Sequence, residues 1–367
     1  MPADASHPNA STKLLSLDAA AVQRFVERIF TRAGWSDTDA RIATDCLTGS
    51  DRAGHASHGI GLVPMYVDTI KSGALKPEWT ATTIKDDGPF VVIEGNRALG
   101  QVTARDVTLK AIDTARRHGI ALVNLINSHH VGRIGHYGEM VAAAGFVGMF
   151  WVNVHGRKPT VVPFGAREPR FSTNPHCVAI PRRGQEPFLL DFATAEMAVN
   201  KARVAHAKGE KVRHGTLLDH KGRPTDDPGV LWSSPRGSIA TFGLHKGSGL
   251  AIVCELMSAV LAGGPLVADQ TEAGAILNNM TALVIDPTRM ATADEPIEAA
   301  SERMIQWVKS AAPAEGVAAV LTPGEPEQIN RARLGSRIEI DPTTWGEIVK
   351  AAAQMGVGGG EVPAALP

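Results

Sequence analysis

Apolar and polar positions recur along this chain with two periods, and each change of period marks an element. Val22, Phe25, Val26, Ile29 and Phe30 fall at helical spacing after Asp18, and Gly34 follows as a stop. A second helix starts at Ser36, whose hydroxyl can cap while Asp39 sits three residues on; Ile42, Ala43, Cys46 and Leu47 form its apolar face. It delivers the segment DRAGHASHG at 51–59. Residues 100–117 predict another helix, and after Gly119 a β-rich run at 120–126 ends in the polar string NSHHVG at 127–132. The alternation continues with a helix at 137–144, a strand at 147–154, short strands at 177–180 and 188–192, and a largely apolar helix at 246–262. A short strand at 282–285 and helices at 297–310 and 343–355 complete it. Interleaved helices and strands predict an α/β or α+β fold. No sequence period repeats, which argues against a solenoid or propeller. The stretch 209–235 and the Gly/Pro-rich ends read as exposed connections.

Length and charge narrow the partners. At roughly 100 to 200 residues per domain, 367 residues suggest two or three domains. Lys and Arg number 37 against 38 Asp and Glu, so no global field draws the chain to nucleic acid. Cys46, Cys177 and Cys254 are scattered and lack CxxC spacing, which argues against a disulfide framework or a thiolate zinc site and for a reducing cytoplasm. The opening MPADASHPNA lacks a leader pattern, and no run approaches ~18 apolar residues, so neither secretion nor a membrane span is expected.

Five places could carry chemistry. Ser57, His58 and Gly59 put an imidazole that titrates near neutrality beside a glycine that admits a substrate to the backbone, although a helix-terminal histidine bonded to carbonyls explains the same tripeptide. His55 lies one turn earlier, but no HExxH follows, and no metal is expected. His129, His130 and Arg133 gather donors and a cation at a strand end, where backbone bonding by the rings is the plainer alternative. GAREPR at 165–170, followed by STNP at 172–175, could hold a ligand or be turn chemistry alone. Asp191 can orient a histidine, or cap a helix over 194–201. The glycine turn before Lys246 opens into a helix, and N–H groups at a helix start beside a lysine suit a phosphate. No P-loop is present, and GIGLVP at 59–64, which follows a helix and ends in proline, is no Rossmann fingerprint.

Taken in order, GHASHGI at 54–60, NSHHVG at 127–132, VPFG at 162–165, STNP at 172–175, LDFAT at 190–194, HKG at 245–247, NN at 278–279 and PGE at 323–325 resemble the malate/L-lactate dehydrogenase family of the second type. The resemblance runs from about Leu17 to Met355, and GRKP at 156–159 is most similar to its hydroxycarboxylate dehydrogenase branch. It implies a non-Rossmann mixed sheet that binds the nucleotide at 91–264, and a helical domain for dimerisation and substrate formed by both chain ends, 1–90 with 265–367. It also implies a homodimer, and NAD as cofactor with NADP as the alternative. Carried over residue by residue, it assigns acid/base chemistry to His58, with Ser57 beside it and Asp191 as the partner carboxylate. Cofactor contacts fall on His130, Asn174, Pro187, Phe188, Leu189, Leu190, Asp191, Phe192, Ala193, His245, Lys246, Gly324 and Glu325.

Two positions depart from the family pattern. Ala56 stands where many members carry an aspartate, and Leu62 where many carry the arginine that grips the substrate carboxylate. Arg52 and Arg133 are the nearest cations by motif position, and an apolar Leu62 favours bulkier acids resembling phenylpyruvate. The expected activity is interconversion of a 2-hydroxy acid and its 2-oxo acid. The alternatives are reduction of a cyclic imine and a cofactor-binding relative without turnover.

Overall fold

The structure is a computed structural model, and it describes residues 14–182, 184–269, 273–290 and 296–366. The decapeptide MPADASHPNA, read above as lacking a leader, lies outside the described residues. In chain order the first elements are β1 (Leu15–Asp18), α1 (Ala19–Arg32), α2 (Asp37–Arg52), α3 (Val63–Lys71), β2 (Thr82–Asp87), β3 (Phe90–Glu94), α4 (Gly100–His118), β4 (Ile120–His129), α5 (Gly135–Ala143) and β5 (Val147–His155). There follow β6 (Pro175–Ile180), β7 (Phe188–Ala193), α6 (Val199–Ala207), β8 (Leu217–Leu218), β9 (Pro224–Thr225), β10 (Ser238–Ile239) and α7 (His245–Ser258). The last are β11 (Leu277–Ile285), α8 (Ile297–Lys309), α9 (Glu325–Leu334), β12 (Arg337–Ile340) and α10 (Pro342–Gln354). Among the described residues no helix is long and apolar enough to cross a membrane.

The chain divides into two compact units, one of Met1–Asp68, Ile180–Phe188 and Pro287–Pro367, the other of Thr69–Ala179 and Leu189–Asp286. The first is mainly helical and draws on both chain ends. β1 pairs antiparallel with β12, Leu15 opposite Ile340. Asp18 accepts the Ala21 N–H at 2.8 Å and Ser36 the Asp39 N–H at 3.1 Å, so α1 and α2 begin where their cap residues dictate. Val22, Phe25, Val26, Ile29 and Phe30 are all buried, and Phe25 meets Trp345 of α10 at 5.7 Å between ring centroids.

The second unit is built on a mixed sheet of order β2-β3-β4-β11-β5-β6-β7. β3 and β4 run parallel, and β11 is antiparallel to both its neighbours. The period of two separates the faces of the central strands. Val123 and Leu125, Met280 and Ala282, and Phe150 and Val152 meet in register and belong to one apolar core, which α4 and α5 cover. The alternate positions are polar: Asn124 stands opposite Thr281, and Asn279 opposite Asn153, beneath α7. Buried amides are tolerable only when bonded. Asn279 supplies much of that bonding, accepting the Asn127 N–H at 2.7 Å and donating to Asn153 Oδ1 and the Pro265 carbonyl, both at 2.8 Å.

Several elements differ from the sequence reading. The strand at 282–285 is the end of the nine-residue β11, whose polar Asn278 and Asn279 hide a central strand that is buried except at Leu283 and Ile285, which are half-buried. The helix at 246–262 stops at Ser258, followed by a short 3-10 turn, Val260–Ala262. The helix placed at 194–201 runs from Val199 to Ala207. The loop at 209–235 contains β8 and β9, which pair beside β10 over a small core of Leu217, Leu231 and Ile239. The sheet takes in 82–94 and 277–285, stretches that boundaries at 90/91 and 264/265 divide or exclude.

Asn279→Ala removes three bonds, one from a buried group and two from part-buried ones, each worth about 1 to 3 kcal/mol when left unmatched. Urea unfolding should show a loss of about 3 to 5 kcal/mol, well beyond the loss for Ala at an exposed strand position.

Candidate functional site

His58 lies in the first unit, where α2 gives way to two successive 3-10 turns, Ala56–His58 and Ile60–Leu62. Its backbone N–H donates to the His55 carbonyl at 2.9 Å, and its Nδ1 lies 3.1 Å from Ser57 Oγ, so a hydroxyl one residue away helps orient the ring. The turn is held from beneath by Asp51. Its Oδ2 accepts the Ile60 N–H at 2.8 Å, and a Cβ on Gly59 would stand 1.9 Å from its Oδ1. Gly59 is therefore required by the carboxylate behind it. Burial pushes the Asp51 carboxyl up to about 7, against the lowering effect of the Ile60 bond. The sequence reading passed over Asp51 because an acid at a helix end ordinarily faces water.

His55 is ion-paired with Glu327 at 2.8 Å, and among the described residues no group of three His, Cys, Asp or Glu side chains could hold a metal. Arg52 buries its Nε, which has no hydrogen-bond partner among the described residues, and Leu62 is half-buried on the second turn. Gly324 takes a φ of 95° to start α9. Glu325 accepts the Thr322 N–H at 2.6 Å and pairs with Lys309, and so bonds groups of its own unit.

In the second unit the expected residues gather at two ends of secondary structure. His130 is buried just past β4. Arg133 is buried too, with Nη2 2.8 Å from Glu139; burial disfavours its charge, but Glu139 and Asp191 outweigh that and raise its pKa. Asp191, on β7, accepts the Gly135 N–H at 2.7 Å at the start of α5, so the helix it serves is α5 and not the one that follows it in sequence. Pro187 and Phe188 close the 180–188 segment assigned to the first unit and are half-buried, and on the rest of β7 Leu189 is buried while Leu190, Phe192 and Ala193 are half-buried. Asn174, at a φ of 31°, accepts the Val154 N–H at 3.3 Å and donates to the Ala251 carbonyl and to Glu255, both at 3.2 Å, which commits its amide to the interior. His245 and Lys246 are exposed on the first turn of α7, which no side chain among the described residues caps. That donor set fits a phosphate, as a dinucleotide cofactor would require.

A family model described as malate/L-lactate dehydrogenase matches residues 17–349. The chain belongs to the malate/L-lactate dehydrogenase family. This family member is 42% identical over 344 residues to hydroxycarboxylate dehydrogenase B of Escherichia coli (strain K12), a match covering 93% of this chain and 94% of that protein. An E. coli structure provisionally described as a malate/lactate dehydrogenase superposes with a TM-score of 0.88 at 42% identity, over 93% of this chain and 95% of that one. The Δ1-piperideine-2-carboxylate reductase of Pseudomonas syringae pvar. tomato superposes at 0.79 with 27% identity, over 92% and 99%. Membership places the chain among oxidoreductases, with a mixed α/β fold in common.

The Asp51 carboxyl makes the dehydrogenase-family fold sensitive to pH. Unfolded, it releases its proton near the ordinary 3.8; folded, it keeps it to about 7. The folded state thus holds the extra proton between those values, and stability falls as pH rises through them. Denaturant unfolding at pH 5 and pH 8 should show Asp51 responsible for a loss of about 2 to 3 kcal/mol. Asp51→Asn, which keeps an acceptor for Ile60, should lose correspondingly less over the same interval.

Proposed function

We propose that this protein is an NAD(P)-dependent oxidoreductase that interconverts a 2-hydroxy acid and its 2-oxo acid, with His58 as general acid/base. The observation that carries the reading is the His58 turn: an imidazole oriented by Ser57, on a backbone pinned by the Asp51 carboxylate, which only a glycine at 59 admits so close behind the turn. In the reducing direction His58 gives its proton to the carbonyl oxygen as that oxygen becomes a hydroxyl, and in the oxidising direction it takes the proton back. Ser57 keeps the ring from rotating away between turnovers. Asp191 holds the start of α5 and Arg133 in place near His130. Lys246 and His245 would receive the phosphates of the dinucleotide, and His130, the stretch 187–193, Gly324 and Glu325 would serve its remaining parts. A bound nicotinamide supplies or accepts the hydride. NAD is the preferred form on the resemblance to the hydroxycarboxylate branch.

Arg133 bonds Glu139 through Nη2 alone and keeps Nε and Nη1 without a hydrogen-bond partner among the described residues, as Arg52 keeps its Nε, so both remain cations for the substrate. The likeness to a piperideine-carboxylate reductase supports a second reading, in which the proton of His58 ends on an amine nitrogen. The cytoplasm is the proposed compartment, supported by three buried cysteines that form no disulfide among the described residues.

His58→Ala should lower turnover by about 10² or more while nicotinamide binding stays nearly intact, because proton transfer is felt in the transition state. Absorbance of NADH and NADPH against pyruvate, oxaloacetate, phenylpyruvate and a cyclic imine carboxylate reads substrate and cofactor together. Turnover of the imine alone, or full activity in His58→Ala, would sink the hydroxy-acid reading.

A homodimer is also proposed. Ile252, Val253, Leu256, Val260 and Leu261 are exposed along and just beyond α7, an apolar stripe of the kind that a second copy covers. Light scattering at micromolar concentration should give twice the 38.8 kDa of one chain; a value of 38.8 kDa would contradict it.

A further inference from the structure

Within the second unit a cavity of about 380 Å³ opens at the ends of β4 and β5, lined by Arg97, Asn127, His155, Gly264, Pro265 and Asp269. That volume lies in the range of small-molecule sites. A wider hollow of about 510 Å³ shares Arg97 and Asn127 with it and reaches Asn96. Of these cavity side chains the sequence reading reached only Asn127, the first residue of the NSHHVG string.

Three observations mark the cavity as built for a ligand. First, His155 is 1% exposed, yet neither ring nitrogen has a hydrogen-bond partner among the described residues. Buried polar groups are rarely left so unless something else bonds them. Burial, with the Arg97 charge nearby, brings its pKa down to about 4, so the ring is neutral near pH 7 and offers one donor and one acceptor. Second, the Arg97 side chain forms no hydrogen bond or ion pair among the described residues, although its fork of donors suits a carboxylate. Third, Asn96, Arg97 and Asn127 have φ values of 50°, 57° and 52°. Asparagine tolerates that conformation and arginine does not, so the strain falls on Arg97, whose N–H bonds the Asn127 carbonyl at 2.8 Å. Strain of this sort persists where the surroundings enforce it, and it gathers at binding sites.

Asp269 sets the ligand's second feature. Its Oδ2 accepts the Leu266 N–H at 2.8 Å, and the carboxylate has lone pairs left for a donor on a guest. A simple anion would meet only repulsion there. We propose that this cavity binds a small hydroxycarboxylate, its carboxylate on the Arg97 fork, its hydroxyl donated to Asp269, and the His155 ring bonding the face between. The assignment does not depend on turnover through His58, and the experiment keeps the two apart.

The test uses the full chain without cofactor, its histidines labelled with ¹³C at Cε1, and the His155 resonance is identified by its loss in His155→Phe. Sodium L-lactate should move that resonance saturably. Propionate, which lacks the hydroxyl, should need about tenfold higher concentrations, a fold-change that one hydrogen bond to a charged acceptor can carry. Asp269→Asn should narrow that gap. Arg97→Gly should abolish the response while keeping or raising Tm, because glycine accepts the backbone that arginine strains. Should the glycine variant fold poorly, Arg97→Asn, which also tolerates a left-handed backbone, takes its place. A resonance unmoved by lactate, or moved equally after Arg97 is removed, overturns the proposal; so does a lower Tm with an unchanged lactate response, which would assign Arg97 to the fold. In His58→Ala the lactate response should persist even where turnover is lost, so failure of the acid/base reading and failure of this site give different results.

Discussion

Asn279 sits on the central strand with no exposure to solvent, and its one amide is spent in three directions: to β4 at Asn127, to β5 at Asn153, and to the turn at Pro265. The β4 contact is the one that shapes the unit. Between Asn278 and Met280 the register against β4 slips, so that Met280 faces Leu125 while Asn278 faces Ser128. The extra residue on β4 forms a β-bulge, and Asn127 takes its positive φ there. Beyond the bulge the chain reaches His129 and His130 with a new orientation. Without a side chain able to satisfy the bulged N–H, the inserted residue would cost a part-buried, unbonded donor. The polar end of β4 thus exists because a polar residue was placed at the centre of the sheet.

The same reasoning separates what could be read from the sequence from what could not. α1 and α2 were legible because their signals are local: Asp18 and Ser36 cap within three residues, and the apolar stripe of α1 needs no knowledge of its partner. β4 and β5 were legible because one of their faces is uniformly apolar. β11 was cut short because Asn278, Asn279 and Thr281 break the apolar pattern, and their bonding partners on β5 and β4, Asn153 and Asn124, lie more than a hundred residues away. Pairing over that distance leaves no trace in a window of eleven residues. β1 and β12 pass unnoticed for the same reason, each being four residues long and paired only with the other.

The candidate site divides in a similar way. Motifs led to His58 and Lys246, and the structure places both on turns that leave them in contact with solvent. Motifs also led to Asn174, Arg133 and Asp191, whose side chains the structure uses to bond α7, Glu139 and α5. A motif marks that a side chain is needed and is silent about which of its atoms already have a task. Asp51 and His155 show the converse. Neither type is unusual for its place in the sequence, and both become notable only through burial, which raises the one to about 7 and lowers the other to about 4. Burial belongs to the assembled fold, so a reading by residue type passes over them.

The pairing of β1 with β12, and the contact of Phe25 with Trp345 beside it, impose an order on the making of this protein. Ribosomes add about 5 to 20 residues per second, so a chain that has just exposed Phe25 waits on the order of 15 to 60 s for Trp345 to be synthesised. The stretch 69–286 contains all seven strands of the large sheet and can pair them during that interval. Through the same interval the apolar face of α1 has no finished core to enter. In the cell, the earliest helix of the chain is therefore among the last to be covered, and holdase chaperones have that long to find it.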